Sequence, residues 1–308
     1  MEDYNHLLLS ICIPTYNRAE YLRGALENIT SDPAFDDRVE IIISDNASED
    51  NTEEIGKEYA RKYANIKYFR NEKNIRDANF KLSFERASGK YLKLFNDTLR
   101  FKENSLSTIL DILSNTADDE APLFVQNNEF ASNTEAIVNS PDELVSKFSF
   151  YTTWIVNLGI PNDKISVLNI DRKYTEYQLA QVAWLLKLAS ISKIKIHFGD
   201  WYESIWPKNK GGYNLFKVFI SNYFSILNDF NIKDRNIRVE KRRLFKYFLV
   251  GHIISRLIFG EKERFKTDGA WKILWKYYGK EPYAYINFTA SLSYRIGQKL
   301  LNILIPNH

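Results

Sequence analysis

The chain has 308 residues, 44% of them apolar and 15% aromatic, which is enough to bury a substantial core and excludes a disordered chain. A single cysteine, Cys12, excludes disulfides within the chain and cysteine-based zinc sites, and fits a reducing compartment. The net charge of +3 hides an asymmetry: residues 233–308 carry 16 Lys and Arg against 6 Asp and Glu, so they are strongly basic while residues 1–232 are acidic overall. The N-terminus lacks the basic flank and cleavage site of a signal peptide, and no apolar run reaches the roughly 18 residues that span a bilayer, which predicts a cytoplasmic protein.

In chain order, "LLLSICIPTY" (7–16) is a continuous apolar run suited to a strand buried on both faces. "RAEYLRGALENI" (18–29) then places Tyr21, Leu22, Ala25, Leu26 and Ile29 on one helical stripe. "VEIIISDN" (39–46) predicts a second buried strand, and Asp50 with Glu53 forms a capping box for a helix running to about Ala64. A third strand (66–71), a third helix (77–88) closed by Gly89, and a fourth strand, "KYLKLFND" (90–97), follow. Repeated strand–helix units of this kind make a mostly parallel α/β sheet with helices on both faces.

Ligands of such sheets sit beyond the C-terminal ends of the strands. The residues there are Thr15, Tyr16 and Asn17, then Asp45 and Asn46, then Asn71, then Asn96, Asp97 and Thr98. Asn46, Ser48 and Asn71 read singly as turn and cap residues. Two aspartates, Asp45 and Asp97, each ending a separate apolar strand, point to a site, because each carboxylate stands at the rim of a buried sheet.

Residues 120–232 are mixed. "APLFVQNNEF" (121–130) predicts a strand, "EYQLAQVAWLLKLAS" (176–190) an amphipathic helix with Leu179, Val182, Ala183, Leu186 and Ala189 on one side, and "KIKIHFGDWY" (193–202) a strand with His197 towards its end. "WPKNKGGYN" (206–214) has the composition of a mobile loop. The last 75 or so residues read as helices that mix Lys and Arg with Trp, Tyr, Phe and Leu. That composition suits either a helix lying on an anionic membrane surface or a packing or homo-oligomer interface, and nothing near it resembles a nucleic-acid reading motif.

"LSICIPTYNRAEYLRGALENI", "VEIIISDNASEDNT" and "IKYFRNEKNIRDANFKLSFERASGKYLKLFND" together resemble, in order and spacing, the N-terminal half of family 2 glycosyltransferases of the GT-A fold. The nearer likeness is to bacterial polysaccharide transferases such as abequosyltransferases. The resemblance covers about the first 110 residues. It implies a GT-A, Rossmann-like, mostly parallel sheet in a transferase domain over 1–232, with a nucleotide-sugar half at 1–110 and an acceptor half at 111–232, before the helical basic region at 233–308.

The resemblance also implies roles. Pro14, Thr15, Tyr16 and Asn17 would wrap the nucleobase, with Tyr16 as a flat contact. Asp45 would accept a hydrogen bond from the base, and Asn74, Arg76 and Asp77 would border base and ribose, Arg76 standing where glycine is common. Asn96, Asp97 and Thr98 align with the acidic stretch that holds ribose and a metal bridging the diphosphate. Glu176, with Tyr177 in place of a second family acid, is the first candidate for general base, and Asp171 the second.

The chemistry asks for such groups whatever the family. A departing nucleoside diphosphate develops negative charge, which a weakly held Mg²⁺ or Mn²⁺ on Asp97 would neutralise, and the attacking hydroxyl needs a carboxylate base. His197 is either a late metal ligand or a structural histidine. Lys208 and Lys210, beside Gly211 and Gly212, either close over the diphosphate or form a solvated loop. The expected reaction is inverting transfer from a nucleoside-diphosphate sugar to a hydroxyl of a bacterial surface glycan, lipid-linked, at the inner face of the cytoplasmic membrane. The alternative, favoured by the thinned acidic motif, is an inactive glycosyltransferase-like subunit that binds nucleotide sugar or glycan. A nicotinamide enzyme is disfavoured because "PTYN" is not glycine-rich.

Overall fold

The computed structural model describes residues 6–117, 119–126, 134–205, 211–260 and 264–304. The chain divides into two compact units, Met1–Lys208 and Asn209–His308, so the structural boundary falls earlier than the change of charge near residue 233 suggests.

The first unit is built on a five-stranded sheet. Strands β1 (Leu9–Thr15), β2 (Val39–Asp45), β3 (Ile66–Arg70) and β4 (Tyr91–Leu94) are parallel. Helices α1 (Ala19–Thr30), α2 (Thr52–Lys62) and α3 (Ala78–Glu85) connect them. After α3 and β4 come β5 (Leu99–Phe101), α4 (Ser105–Ser114), β6 (Glu120–Gln126), β7 (Glu135–Val138), α5 (Pro141–Phe148) and β8 (Gly159–Pro161). Strand β8 joins the sheet antiparallel to β4, giving the order β3-β2-β1-β4-β8.

Alternation explains the layers. Leu9, Ile11 and Ile13 of β1 and Val39, Ile41 and Ile43 of β2 join a core with Leu22, Leu26 and Ile29 of α1, Ile55 and Tyr59 of α2, and Ile109 and Leu110 of α4. On the other face, Ser10 donates to Glu40 (2.7 Å), which also receives Lys67 (2.9 Å), and Ser44 donates to Asn79 of α3 (2.7 Å). Burying each Leu or Ile of the core contributes about 1.5–3 kcal/mol, so the sheet position of the polar strand ends is set by this packing.

Three predicted elements need correction. Asp50 and Glu53 do not form a capping box: Asn51 holds the cap position, Asp50 accepts from the Thr52 amide and hydroxyl and the Ala19 amide, and Glu53 pairs with Lys57 and Arg70. The helix predicted over 176–190 is two helices, α6 (Lys173–Glu176) and α7 (Ala180–Ile191), broken at Gln178, whose φ is +61°. Helix α7 is buried on nearly every side, Trp184 included, so it is a core helix and not an amphipathic one. The strand predicted over 193–202 also divides: β9 (Lys193–Gly199) lies between β6 and β7 in a second sheet, whereas β10 (Tyr202–Ser204) pairs with β5.

Lys93 is the unexpected residue of β4. Its ammonium is fully buried, donates to the Val156 carbonyl (2.6 Å), lies over the rings of Phe124 and Tyr202, and is pushed down to about 7 by burial.

In the second unit β11 (Gly211–Asn214) runs parallel to β12 (Arg264–Lys266), and helices α8 (Tyr223–Asp229), α9 (Asp234–Leu244), α10 (Val250–His252), α11 (Ala270–Tyr278) and α12 (Pro282–Leu304) make up most of the rest. Among the described residues no helix is long and apolar enough to cross a membrane.

Candidate active site

The carboxyl ends of β1, β2, β3 and β4 bring the first half of the predicted site together. The register is decisive: Thr15 lies beside Asp45, and Asp45 beside Arg70. The turn after β4 then returns Asp97 to β1, where its Oδ2 accepts from the Thr15 hydroxyl (2.9 Å) and its Oδ1 from Arg18 Nη1 (3.0 Å). Asp97 is 2% exposed, and burial raises its carboxyl above the ordinary range against the pull of Arg18, Thr15 and Arg100. Arg100 holds the same turn by donating to the carbonyls of Asp97, Leu99 and Tyr21, and its guanidinium fills the space beside Gly24 that a Cβ would need.

Asp45 departs from the expectation of an open rim carboxylate. It is fully buried and accepts from the Ser48 amide (2.9 Å), the Tyr68 hydroxyl (2.6 Å) and Arg70 (3.0 Å). Burial, with Asp45 alongside, raises the Tyr68 phenol. Tyr68 and Arg70 rather than the carboxylate present the outer surface, because both come from the next strand of the sheet.

The loop after β3 is tied down by side-chain amides. Asn46 donates to Asn74 (2.9 Å) and to the Arg76 carbonyl (3.3 Å) and accepts from Asn71 and from the Ile75 amide. Asn71 and Ser44 both donate to Asn79, and Arg86 donates to Ser44 and Asn71. This network holds Arg76 at a φ of +53°, a left-handed conformation costing roughly 1–2 kcal/mol for a residue with a Cβ. Asn17, at +50°, likewise serves the backbone: its amide donates to Ser48 and its side chain accepts from the Glu49 amide. Asn46, Asn71 and Ser48 are thus the turn residues expected, and Asn79 and Arg86 are members that sequence reading missed.

Against these engaged groups stand Tyr16, Asp77 and Asn96. Tyr16 is exposed, Asp77 and Asn96 are half-buried, and none makes a hydrogen bond with a described residue through its side chain. Burial pushes the Asp77 carboxyl up to about 6, with Arg76 pulling it down. An acid raised on folding stabilises the folded state fully below its unfolded value and loses that contribution as pH rises through about 6. Asp77→Asn is therefore expected to melt higher than the parent above about pH 6, with the two converging below about pH 4. Thermal denaturation over that range checks it, and a gap of the same size at every pH would place its cause elsewhere.

The acceptor-side candidates behave differently from one another. Asp171, one residue before the cap position of α6, accepts from the Lys173 amide (2.8 Å). Glu176 is the last residue of that four-residue helix, not the start of a long one. Its side chain is 65% exposed and has Arg172, at 3.4 Å, as its ion-pair partner.

His197 is not brought to Asp97. It lies in the second sheet, with Nδ1 3.0 Å from Glu135 and its ring stacked on Phe124, and burial lowers its imidazole. Among the described residues no three His, Cys, Asp or Glu side chains are grouped to hold a metal. The two oxygens of Asp97 already meet Thr15 and a guanidinium, Thr98 is neutral and buried, and His197 is engaged elsewhere, so these residues do not fit a resident divalent ion. Lys208 and Lys210 lie outside the described residues.

Residues 10–140 match the family profile described as Glycosyl transferase family 2. The chain is 40% identical over 114 residues to abequosyltransferase RfbV of Salmonella typhimurium, a match covering 36% of this chain and 34% of that protein. It is 31% identical over 104 residues to the GalNAc(5)-diNAcBac-PP-undecaprenol beta-1,3-glucosyltransferase of Campylobacter jejuni, covering 33% of each. These matches span about a third of the relatives' own length. In three dimensions the chain is similar to S. aureus TarS 1–349 in complex with UDP-GlcNAc, with a TM-score of 0.53 and 16% identity over 94% of this chain and 92% of that one, which shows the GT-A fold.

Proposed function

We propose that this chain, whose residues 10–140 carry the family 2 glycosyltransferase similarity, moves a sugar from a nucleoside-diphosphate sugar, with inversion at the anomeric carbon, to a hydroxyl of a bacterial surface glycan. The observation that carries this reading is the contrast at one sheet edge: Asp97, Thr15 and Arg18 are locked together while Tyr16, Asp77 and Asn96 beside them keep their polar groups for a ligand. Tyr16 suits the face of a base, and Asp77 and Asn96 suit ribose hydroxyls. Pro14 and Asn17 shape the turn, Asn74 and Arg76 border the base, and Asp45 supports that border through Tyr68 and Arg70. Glu176 serves as base: both acids are exposed, but Asp171 accepts from the Lys173 amide, whereas Glu176 has, among the described residues, only the exposed Arg172 at 3.4 Å. The UDP and UDP-GlcNAc complexes of TarS and the undecaprenol-linked acceptor in the name of the Campylobacter relative support the donor and acceptor classes. A thermal-shift screen of UDP, GDP, CDP and dTDP sugars tests the reading: a specific binder raises the melting point by mass action, and no shift with any of the four counts against it.

The second unit supports an acceptor presented at a membrane. Helix α11 buries Ala270, Leu274 and Tyr278 and exposes Trp271 (58%) and Trp275 (72%) beside exposed Lys272 and Lys276. Two tryptophans one turn apart, flanked by lysines one turn apart, suit the interface of an anionic bilayer. Full-length protein is expected to float with vesicles containing phosphatidylglycerol, and the Trp271→Ser/Trp275→Ser variant to stay behind. Parent protein that also stays behind would leave a homo-oligomer or packing face as the role of this surface.

A further inference from the structure

We propose that Arg18 takes up the negative charge of the donor diphosphate, in the place on Asp97 where a divalent cation would stand. The proposal rests on the nucleotide-sugar reading above and adds the group that meets the leaving phosphate. The Arg18 side chain is 28% exposed, whereas that of its partner Asp97 is 2% exposed. Its Nη1 is engaged with Asp97 Oδ1, and no other described residue accepts from the guanidinium. Four of its five N–H donors therefore have no acceptor among the described residues, and a planar fork of donors matches phosphate oxygens.

The surroundings fix Arg18 in that role. Thr15 holds the other oxygen of Asp97, so the carboxylate cannot turn away, and the carboxylate in turn aims the guanidinium. Arg100, the other cation of the turn, donates to three main-chain carbonyls and has the structural part. A buried aspartate alone would repel a diphosphate, whereas the pair is neutral and lets the phosphate charge meet the free side of the guanidinium. A divalent ion would have to displace Arg18 and would then hold a single carboxylate.

In the transfer step the bond between the anomeric carbon and the β-phosphate oxygen breaks and its electron pair stays on the phosphate. The acceptor oxygen bonds to the anomeric carbon, and its proton passes to the general base. Arg18 donates hydrogen bonds to the leaving phosphate and keeps its own protons throughout.

Calorimetry of the full chain with UDP, GDP, CDP and dTDP, each in EDTA and in Mn²⁺, tests this. At least one nucleoside diphosphate is expected to bind as tightly in EDTA as in Mn²⁺. Arg18→Gln should weaken that binding by about tenfold or more while changing the matching nucleoside monophosphate less, and Arg18→Lys should recover part of the loss. If Arg18→Gln does not fold, Arg18→Lys decides alone, since a retained charge keeps chelator-resistant binding but loses the fork. Binding that requires Mn²⁺, or is unchanged in the variants, overturns the role of Arg18 and leaves the nucleotide-sugar reading standing. Failure of all four nucleotides to bind under either condition overturns that reading and this inference with it.

Discussion

Asp97→Asn is expected to lower glycosyl transfer by about 10²–10³-fold, the size of losing one preorganised charge-stabilising contact. Asparagine keeps the shape and the Thr15 contact but loses the charge that holds Arg18, and its amide can turn an N–H towards the guanidinium. Breaking a buried ion pair costs about 3–5 kcal/mol where the remaining charge stays buried, but Arg18 is partly exposed and rehydrates, so the fall in stability should lie well below that range. Steady-state rates beside a melting curve separate the two effects. A variant that melts like the parent and turns over at the parent's rate would remove Asp97 from the reaction.

Glu176→Gln is expected to reduce transfer by about 10²–10⁴-fold with donor affinity unchanged, because the amide preserves shape and loses basicity. The pairing with Arg172 is exposed and contributes little to stability, so the fold should not suffer. Asp171→Asn gives the contrast. Its amide oxygen can still accept from the Lys173 amide, so stability should change little and most of the transfer rate should remain. An inactive Asp171 variant beside an active Glu176 variant would exchange the two assignments.

The strand–helix order and the gathering of strand-end polar residues at one sheet edge were legible in the sequence because buried parallel strands read as unbroken apolar runs, as β1 and β2 do. The partners of the strand-end acids were not. Asp45 is closed in by Tyr68 and Arg70 because β3 lies beside β2 in a register that puts Arg70 next to it, and Asp97 meets Arg18 across 79 residues of chain. Neither pairing leaves a local signal. The glycine-like backbone of Arg76 was legible only through family resemblance, whereas the amide network that sustains it comes from β2, β3 and α3 converging. Periodicity misread α7 for a related reason: a helix buried all round carries no polar stripe to distinguish its faces. Lys93 broke no pattern because one lysine in a short apolar strand does not reveal that aromatic rings enclose it.

The most direct test of glycosyl transfer is release of nucleoside diphosphate from UDP, GDP, CDP and dTDP sugars by the full-length protein, with water or an added glycan as acceptor. Release from one donor, lost in both Asp97→Asn and Glu176→Gln, is the predicted result. A donor that binds tightly yet is never cleaved would contradict an enzymatic role and leave a glycosyltransferase-like protein that only holds its nucleotide sugar.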